Sequence, residues 1–192
     1  IFIPNQKDMY PLDFSTYINL KKFNNILCGK RRKEHFSGVS TVVLKLFSLV
    51  KPTAAFFGEK DYQQLVIIKK LVKDLNFSIK IYSIKTVRDK RGLALSSRNK
   101  LLSEEEKIKA SKINAILNKI SINAINNNKE IFSDIKKILN SHGINKIEYL
   151  EIRDETFLEL FNSEYKNIRK YRVFLAVKIG KVRLIDNIRL NN

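Results

Sequence analysis

Cysteine occurs once in these 192 residues, at Cys28, so neither an internal disulfide nor a multi-cysteine zinc site can form. Such economy fits a reducing compartment. Histidine is nearly as scarce, and His35 and His142 are too few for a histidine-rich metal centre. Long apolar runs are missing as well. The stretch from Val39 to Val50 is interrupted by Ser40, Thr41, Lys45 and Ser48 and falls short of a membrane span. No basic, apolar leader ending in small residues opens the chain, so a cytoplasmic protein without a membrane partner is the expectation.

Negative charge is also in short supply. Nineteen acidic residues face 37 lysines and arginines, a formal net charge of +18. Such a surface attracts polyanions, and a basic RNA-binding module is one reading of it. Against that reading, few aromatics interleave with the basic residues as a stacking motif would need. The positive charge is spread over several predicted helices. Lys, Ile and Asn recur throughout, including Asn126-Asn127-Asn128, as codon bias at exposed positions would produce. No nucleic-acid partner is therefore expected.

The length allows one domain or two small ones. The first half alternates between two periodicities. Short apolar strips from Phe14 to Ile26 lead into a polar turn, Gly29 to Glu34. Val39, Val42, Val43, Leu46, Phe47 and Val50 trace a helical face, and Pro52 separates it from a strand at Ala54 to Phe57. A helix from Lys60 to Leu75 and a strand from Ile79 to Val87 follow, the strand-helix-strand pattern of a parallel α/β sheet. Beyond Val87 the grammar changes. Ser103 with Glu106 forms a capping box for a helix over Lys107 to Ile120. A second helix spans Glu130 to Leu139 and ends by Gly143. Ile147 to Ile152, Tyr171 to Ile179 and Val182 to Ile185 read as strands, the last two as a hairpin turning at Gly180-Lys181. The expected domains are therefore 1–87 and 88–192. Ile1, Phe2, Ile3 and Pro4 resemble the end of a buried strand, as if the chain began inside a larger protein.

Two polar clusters sit at element ends. Phe57-Gly58-Glu59-Lys60-Asp61-Tyr62-Gln63-Gln64 lies where the apolar strand runs into a helix. Gly58 suits a tight turn, Lys60 offers a point charge, and Lys60 and Gln64 share a face if both lie on the helix. Leu95-Ser96-Ser97-Arg98-Asn99 follows the Gly92-Leu93-Ala94 turn; its hydroxyls and the planar fork of Arg98 suit phosphate oxygens. Taken alone, either cluster could be a solvent-facing turn. Together they suggest one phosphate site.

These segments, in order, resemble the pantothenate synthetase (pantoate-beta-alanine ligase) family, in its C-terminal two-thirds. Tyr10-Pro11, His35-Phe36-Ser37-Gly38-Val39, Thr41 to Phe47, Phe56 to Gln64, Val87-Arg88, Gly92 to Asn99 and Arg183-Leu184-Ile185-Asp186-Asn187 carry the likeness. The resemblance implies an incomplete Rossmann-like parallel sheet followed by a smaller α+β domain with antiparallel strands. It implies an ATP-dependent ligase that joins pantoate and beta-alanine through pantoyl adenylate, releasing pyrophosphate and AMP. ATP with Mg2+, and a homodimer at full length, come with it. By the same likeness Gly58, Glu59, Lys60, Asp61, Val87, Leu95, Ser96, Ser97 and Arg98 line the ATP side, and Gln64, Val42 and Val43 the pantoate side. Lys60, Ser96, Ser97, Arg98 and His35 are the residues expected to serve catalysis. Asp186 and Asn187 are expected to be structural. No metal ligand of the protein's own is implied, and no enzyme nucleophile is needed.

Departures from the family pattern fall in loops. Lys33-Glu34 stands where Pro-Gly is usual before His35, Cys28 where an acidic residue is common, and Lys90 and Arg91 in a turn that is ordinarily acidic. The family's N-terminal segment with two closely spaced histidines does not occur in these residues, so the 192 residues alone are expected to be inactive. Another adenylate-forming enzyme stays open as an alternative.

Overall fold

The computed structural model describes residues 1–120, 130–165 and 170–190; the Asn-rich connection around Asn126 lies outside them. Two compact units emerge. One comprises Ile1–Phe57 with Gln63–Ser83, the other Gly58–Tyr62 with Ile84–Asn192.

In the first unit a short helix α1 (Gln6–Met9) carries a reciprocal cap between Asn5 and Asp8. It is followed by α2 (Leu27–Arg31), α3 (His35–Val50), β1 (Ala54–Gly58), α4 (Tyr62–Asp74) and β2 (Lys80–Ile84). β1 and β2 pair in parallel with α4 as their crossover, the α/β unit the spacing predicts. Ile68, Leu71 and Val72 on α4 recur at helical spacing and meet Phe47 of α3, with Val43, Ala55, Phe57, Ile79 and Ile81 packed around them. Burying Phe47, Ile68, Leu71 and Val72 stabilises the unit by about 1.5–3 kcal/mol each.

Several local expectations change. Residues 27–31 are helical, where a turn from Gly29 was expected. The cause is distant: Gln63 Oε1 accepts the Cys28 N–H at 3.0 Å, and its Nε2 donates to Phe23 O at 3.1 Å and Ile26 O at 3.0 Å. Gly29 fits there because any Cβ would run into the backbone of Phe23 and Asn24. Ile1, Phe2 and Ile3 form no strand and are exposed. The second strand stops at Ile84, and the following residues form a loop closed by Leu95 N–H to Val87 O and Asp89 N–H to Leu93 O, both 2.9 Å, with Gly92 at φ 89°.

Glu34, at the start of α3, has φ 61° and ψ −6°, a left-handed conformation that disfavours a side chain. Glu34→Gly is therefore expected to stabilise the first unit by up to about 1 kcal/mol. A urea titration followed by circular dichroism checks this, and a loss of stability would contradict it.

The second unit packs α5 (Glu104–Leu117) and α6 (Ile131–Ser141) on an antiparallel sheet of β3 (Lys146–Asp154), β4 (Tyr171–Ile179) and β5 (Val182–Arg189), in the order β3-β4-β5. The expected capping box is present: Ser103 Oγ accepts the Glu106 N–H at 3.2 Å and Glu106 Oε2 accepts the Ser103 N–H at 2.9 Å. It starts α5 at Glu104, slightly before the expected position. Alternation along the strands divides their side chains. Tyr171, Val173, Leu175 and Val177 join Ile113, Ile116, Leu117, Ile135 and Leu139 in the core. The opposite face carries Arg172 and Phe174, with Arg189 and Asn187 as their cross-strand partners.

Candidate active site

The second unit brings Lys60 of the first predicted cluster together with Ser96, Arg98 and Asn99 of the second. Glu59–Asp61 form a 3-10 turn rather than the first turn of α4, and Gly58 before it is extended, at φ −71° and ψ 135°. The tight glycine turn is therefore absent, and the open space at Gly58 lets other groups approach the backbone. Because Lys60 precedes α4, it does not share an α-helical face with Gln64 as the four-residue spacing suggested. The other cluster forms a second 3-10 turn, Ser97–Leu101, which Ser96 caps by accepting the Arg98 N–H at 3.3 Å.

Lys60, Ser96, Arg98 and Asn99 line a pocket floored by Leu93, Ala94, Ala110 and Ile113 and walled by residues 183–186. It encloses about 20 Å³, room for roughly one water, so a larger ligand must lie across it. Charge in this pocket is unevenly neutralised. Arg88 makes two bonds to the Asp186 carboxylate, at 2.7 and 2.8 Å, and Arg183 Nε meets Glu148 at 2.8 Å. Lys60 Nζ has only Asp61, at 3.7 Å, and Arg98 makes no salt bridge among the described residues. Two cations are thus available to an anion. Asn99, the last residue of the second cluster and given no role there, donates to Ala94 O at 3.0 Å while its buried Oδ1 meets no donor among the described residues.

The remaining predicted residues are distributed as follows. Ser97 opens the second 3-10 turn, Leu95 lies two residues before it and Val87 in the preceding loop, and all three are exposed. Glu59 accepts from Arg172 Nη2 at 3.3 Å. In the first unit Gln64 is half-buried on α4, whereas its neighbour Gln63 is buried and consumed by the bonds to residues 23–28. Val43 packs into the unit's core, and Val42 is half-buried beside it on α3. His35 begins α3, and its Nε2 lies 2.8 Å from Arg32 Nη1. Arginine only donates, so Nε2 is the acceptor of that bond. Among the described residues no three His, Cys, Asp or Glu converge as a metal cluster, and no helix is long and apolar enough to cross a membrane.

Behind the Lys60 turn lies a buried network that sequence reading missed. The Arg172 guanidinium stacks on the Tyr62 ring at 4.0 Å and bonds Glu155, Asn187 and Glu59. Burial, followed by the nearby Glu155 carboxylate, raises the Tyr62 phenol above its ordinary pKa of 10.0; Arg172 and Arg189 pull it down by less. A raised acid favours the neutral phenol in the folded state. Its contribution to stability is complete below pH 10.0 and is lost as pH climbs through the raised value. Tyr62→Phe should therefore lose less stability than the parent chain over the pH unit above 10, measured by urea unfolding at each pH. Equal losses would contradict this.

A parallel βαβ unit and a second α+β unit bearing a cationic, hydroxyl-lined pocket define an α/β protein. The chain belongs to the pantoate-beta-alanine ligase family, whose model matches residues 1–189. It is 44% identical over 193 residues to the pantothenate synthetase of Caldicellulosiruptor bescii, covering 98% of this chain and 67% of that protein. The pantothenate synthetase of Thermosipho africanus is 42% identical, with 97% and 67% covered. The crystal structure of the Thermus thermophilus pantothenate synthetase superposes with a TM-score of 0.86 at 34% identity, covering 96% of this chain and 67% of that one. The Francisella tularensis pantoate-beta-alanine ligase, solved with beta-gamma ATP and beta-alanine, gives a TM-score of 0.74 at 41% identity, with 95% and 61% covered. The sheet architecture and the ligase resemblance expected from sequence are thus upheld.

Proposed function

We propose that this chain supplies the phosphate-binding part, and some of the pantoate contacts, of an enzyme that condenses pantoate with beta-alanine using ATP. A pantoate carboxylate oxygen attacks the α phosphorus, a new P–O bond forms, and the bond to the β-phosphate bridge breaks to release pyrophosphate. The beta-alanine amine then attacks the acyl carbon, AMP departs with the bonding pair, and the amine gives up its proton. The chief physical demand is alignment of two anions while charge on the phosphates is neutralised.

One observation carries the assignment: Lys60, Ser96 and Arg98 line one pocket whose Arg183 already has a carboxylate partner, as does Arg88, which pairs with the lining Asp186. Lys60 and Arg98 neutralise phosphate charge, and the Ser96 and Ser97 hydroxyls donate to phosphate oxygens. Gly58 admits the ligand to the backbone, while Glu59, Asp61, Val87 and Leu95 border the nucleotide. In the first unit Gln64 binds pantoate through its amide, Val42 and Val43 give it an apolar neighbour, and His35, bonded to Arg32, shapes the surface on that side. The donor set suits a magnesium ion held mainly by the polyphosphate, because the pocket's own carboxylate, Asp186, is engaged by Arg88, and Asp61 beside Lys60 is half-exposed and only weakly paired. Bound there, the ion would neutralise phosphate charge. A cytoplasmic homodimer completes the reading, and light scattering on a purified full-length protein tests the dimer.

The assignment is tested by joining the N-terminal third of the Caldicellulosiruptor bescii relative ahead of residue 1. Pantoate-dependent pyrophosphate release, followed by AMP on addition of beta-alanine, is expected of the joined protein. The 192 residues alone should bind ATP without turnover, since part of the charge neutralisation is missing. Salt-sensitive RNA binding with no ATP affinity would instead favour the basic binding module.

A further inference from the structure

Lys60 sits in a turn of three residues, too short to fix its own geometry by repeated hydrogen bonds. Its backbone is held from 127 residues away. Asn187 Nδ2 donates to Glu59 O at 3.0 Å and to Lys60 O at 2.9 Å, so both amide hydrogens are used on this one turn. Asn187 Oδ1 in turn accepts from Arg172 Nη1 at 2.6 Å, which fixes the orientation of the amide. The residue is 4% exposed, so water is a poor substitute for any of these bonds.

We propose that Asn187 is a positioning residue for Lys60, holding the turn so that the ammonium meets the ligand's phosphate. This rests on Lys60 binding phosphate as described above. The geometry of β5 adds a second part. Adjacent strand residues point to opposite faces, so Asn187 secures the Lys60 turn on one face while Asp186 secures Arg88 on the other. The Asn187 N–H also donates to Asp186 Oδ1 at 2.8 Å. Arg88 pairs across a bridge with Ala94, two residues before Ser96. One dipeptide of β5 thereby sets the spacing between the turn bearing Lys60 and the loop leading to Ser96 and Arg98.

A double-mutant cycle on the 192-residue chain tests this, with ATP as the probe and binding read by titration calorimetry. Asn187→Ala is expected to weaken ATP binding about tenfold when Lys60 is present. In a Lys60→Ala background the same change should cost less than about twofold, because the group being positioned is gone. Equal losses in the two backgrounds, or no loss in either, overturn the inference while leaving the phosphate assignment standing. Absence of ATP binding by the parent chain overturns both. Should Asn187→Ala melt below the assay temperature, Asn187→Asp runs the same cycle. It keeps the shape and the acceptor for Arg172 but removes both donors, and coupling to Lys60 is again the expected result.

Discussion

Arg172→Ala should destabilise the second unit by about 3–5 kcal/mol, the usual result of stripping one partner from a buried ion pair. The Arg172 side chain is 4% exposed and meets Glu155 at 2.9 Å and Glu59 at 3.3 Å. Glu155, itself 8% exposed, would keep the Arg189 guanidinium at 2.8 Å, but that arginine is half-exposed and screened by water. The cation over the Tyr62 ring and the donor to Asn187 disappear with it. A domain holds only about 5–15 kcal/mol in total, so much of the unit's margin goes. Arg172→Lys should recover only part of the loss, because an ammonium cannot reproduce the planar fork. Urea unfolding followed by circular dichroism measures both, and a shift under about 1 kcal/mol for the alanine variant would refute the expectation.

Lys60→Ala has the opposite profile, with a large loss of activity and little loss of stability. Among the described residues its Nζ has a single salt bridge, at 3.7 Å to Asp61, and weakly buried pairs of that kind contribute about 0–1 kcal/mol. Charge developing on the phosphates during adenylation is a different matter, and removing a preorganised stabiliser of such charge lowers kcat by about 10²–10³. The assay is pantoate-dependent pyrophosphate release by the joined protein described above. An unchanged melting temperature with unchanged turnover would remove Lys60 from the mechanism. Lys60→Arg is the informative companion, since a positive charge of different shape separates neutralisation from geometry.

What could be read from the sequence follows the range of the interaction. The capping box of α5 was legible because Ser103 and Glu106 are three residues apart and bond each other. The βαβ unit was legible from strand and helix periods, and the β4–β5 hairpin from Gly180, which turns the chain at φ 56°. The two polar clusters stood out because their residue types suit phosphate. Their setting did not. Gln63 was hidden beside Gln64, and only the fold distinguishes the glutamine spent on residues 23–28 from the one left half-buried. Asn187 was read as structural because nothing local connects it to carbonyls 127 and 128 residues earlier. The 3-10 turn that holds Lys60 ahead of α4 has no sequence mark either. Acidic and basic residues in Glu59-Lys60-Asp61 suit the first turn of an α-helix equally well.

The passage of residues 58–62 through the second unit, between stretches belonging to the first, bears on how this polypeptide tolerates being cut. A protease nick between Ser83 and Ile84 would break the chain without separating the pieces cleanly. The N-terminal piece would still own the Glu59–Lys60 carbonyls that Asn187 grips and the Tyr62 ring beneath Arg172. Two fragments made separately and mixed should therefore recognise each other through that short tongue, which makes the bond between residues 83 and 84 a natural place to split the protein for complementation.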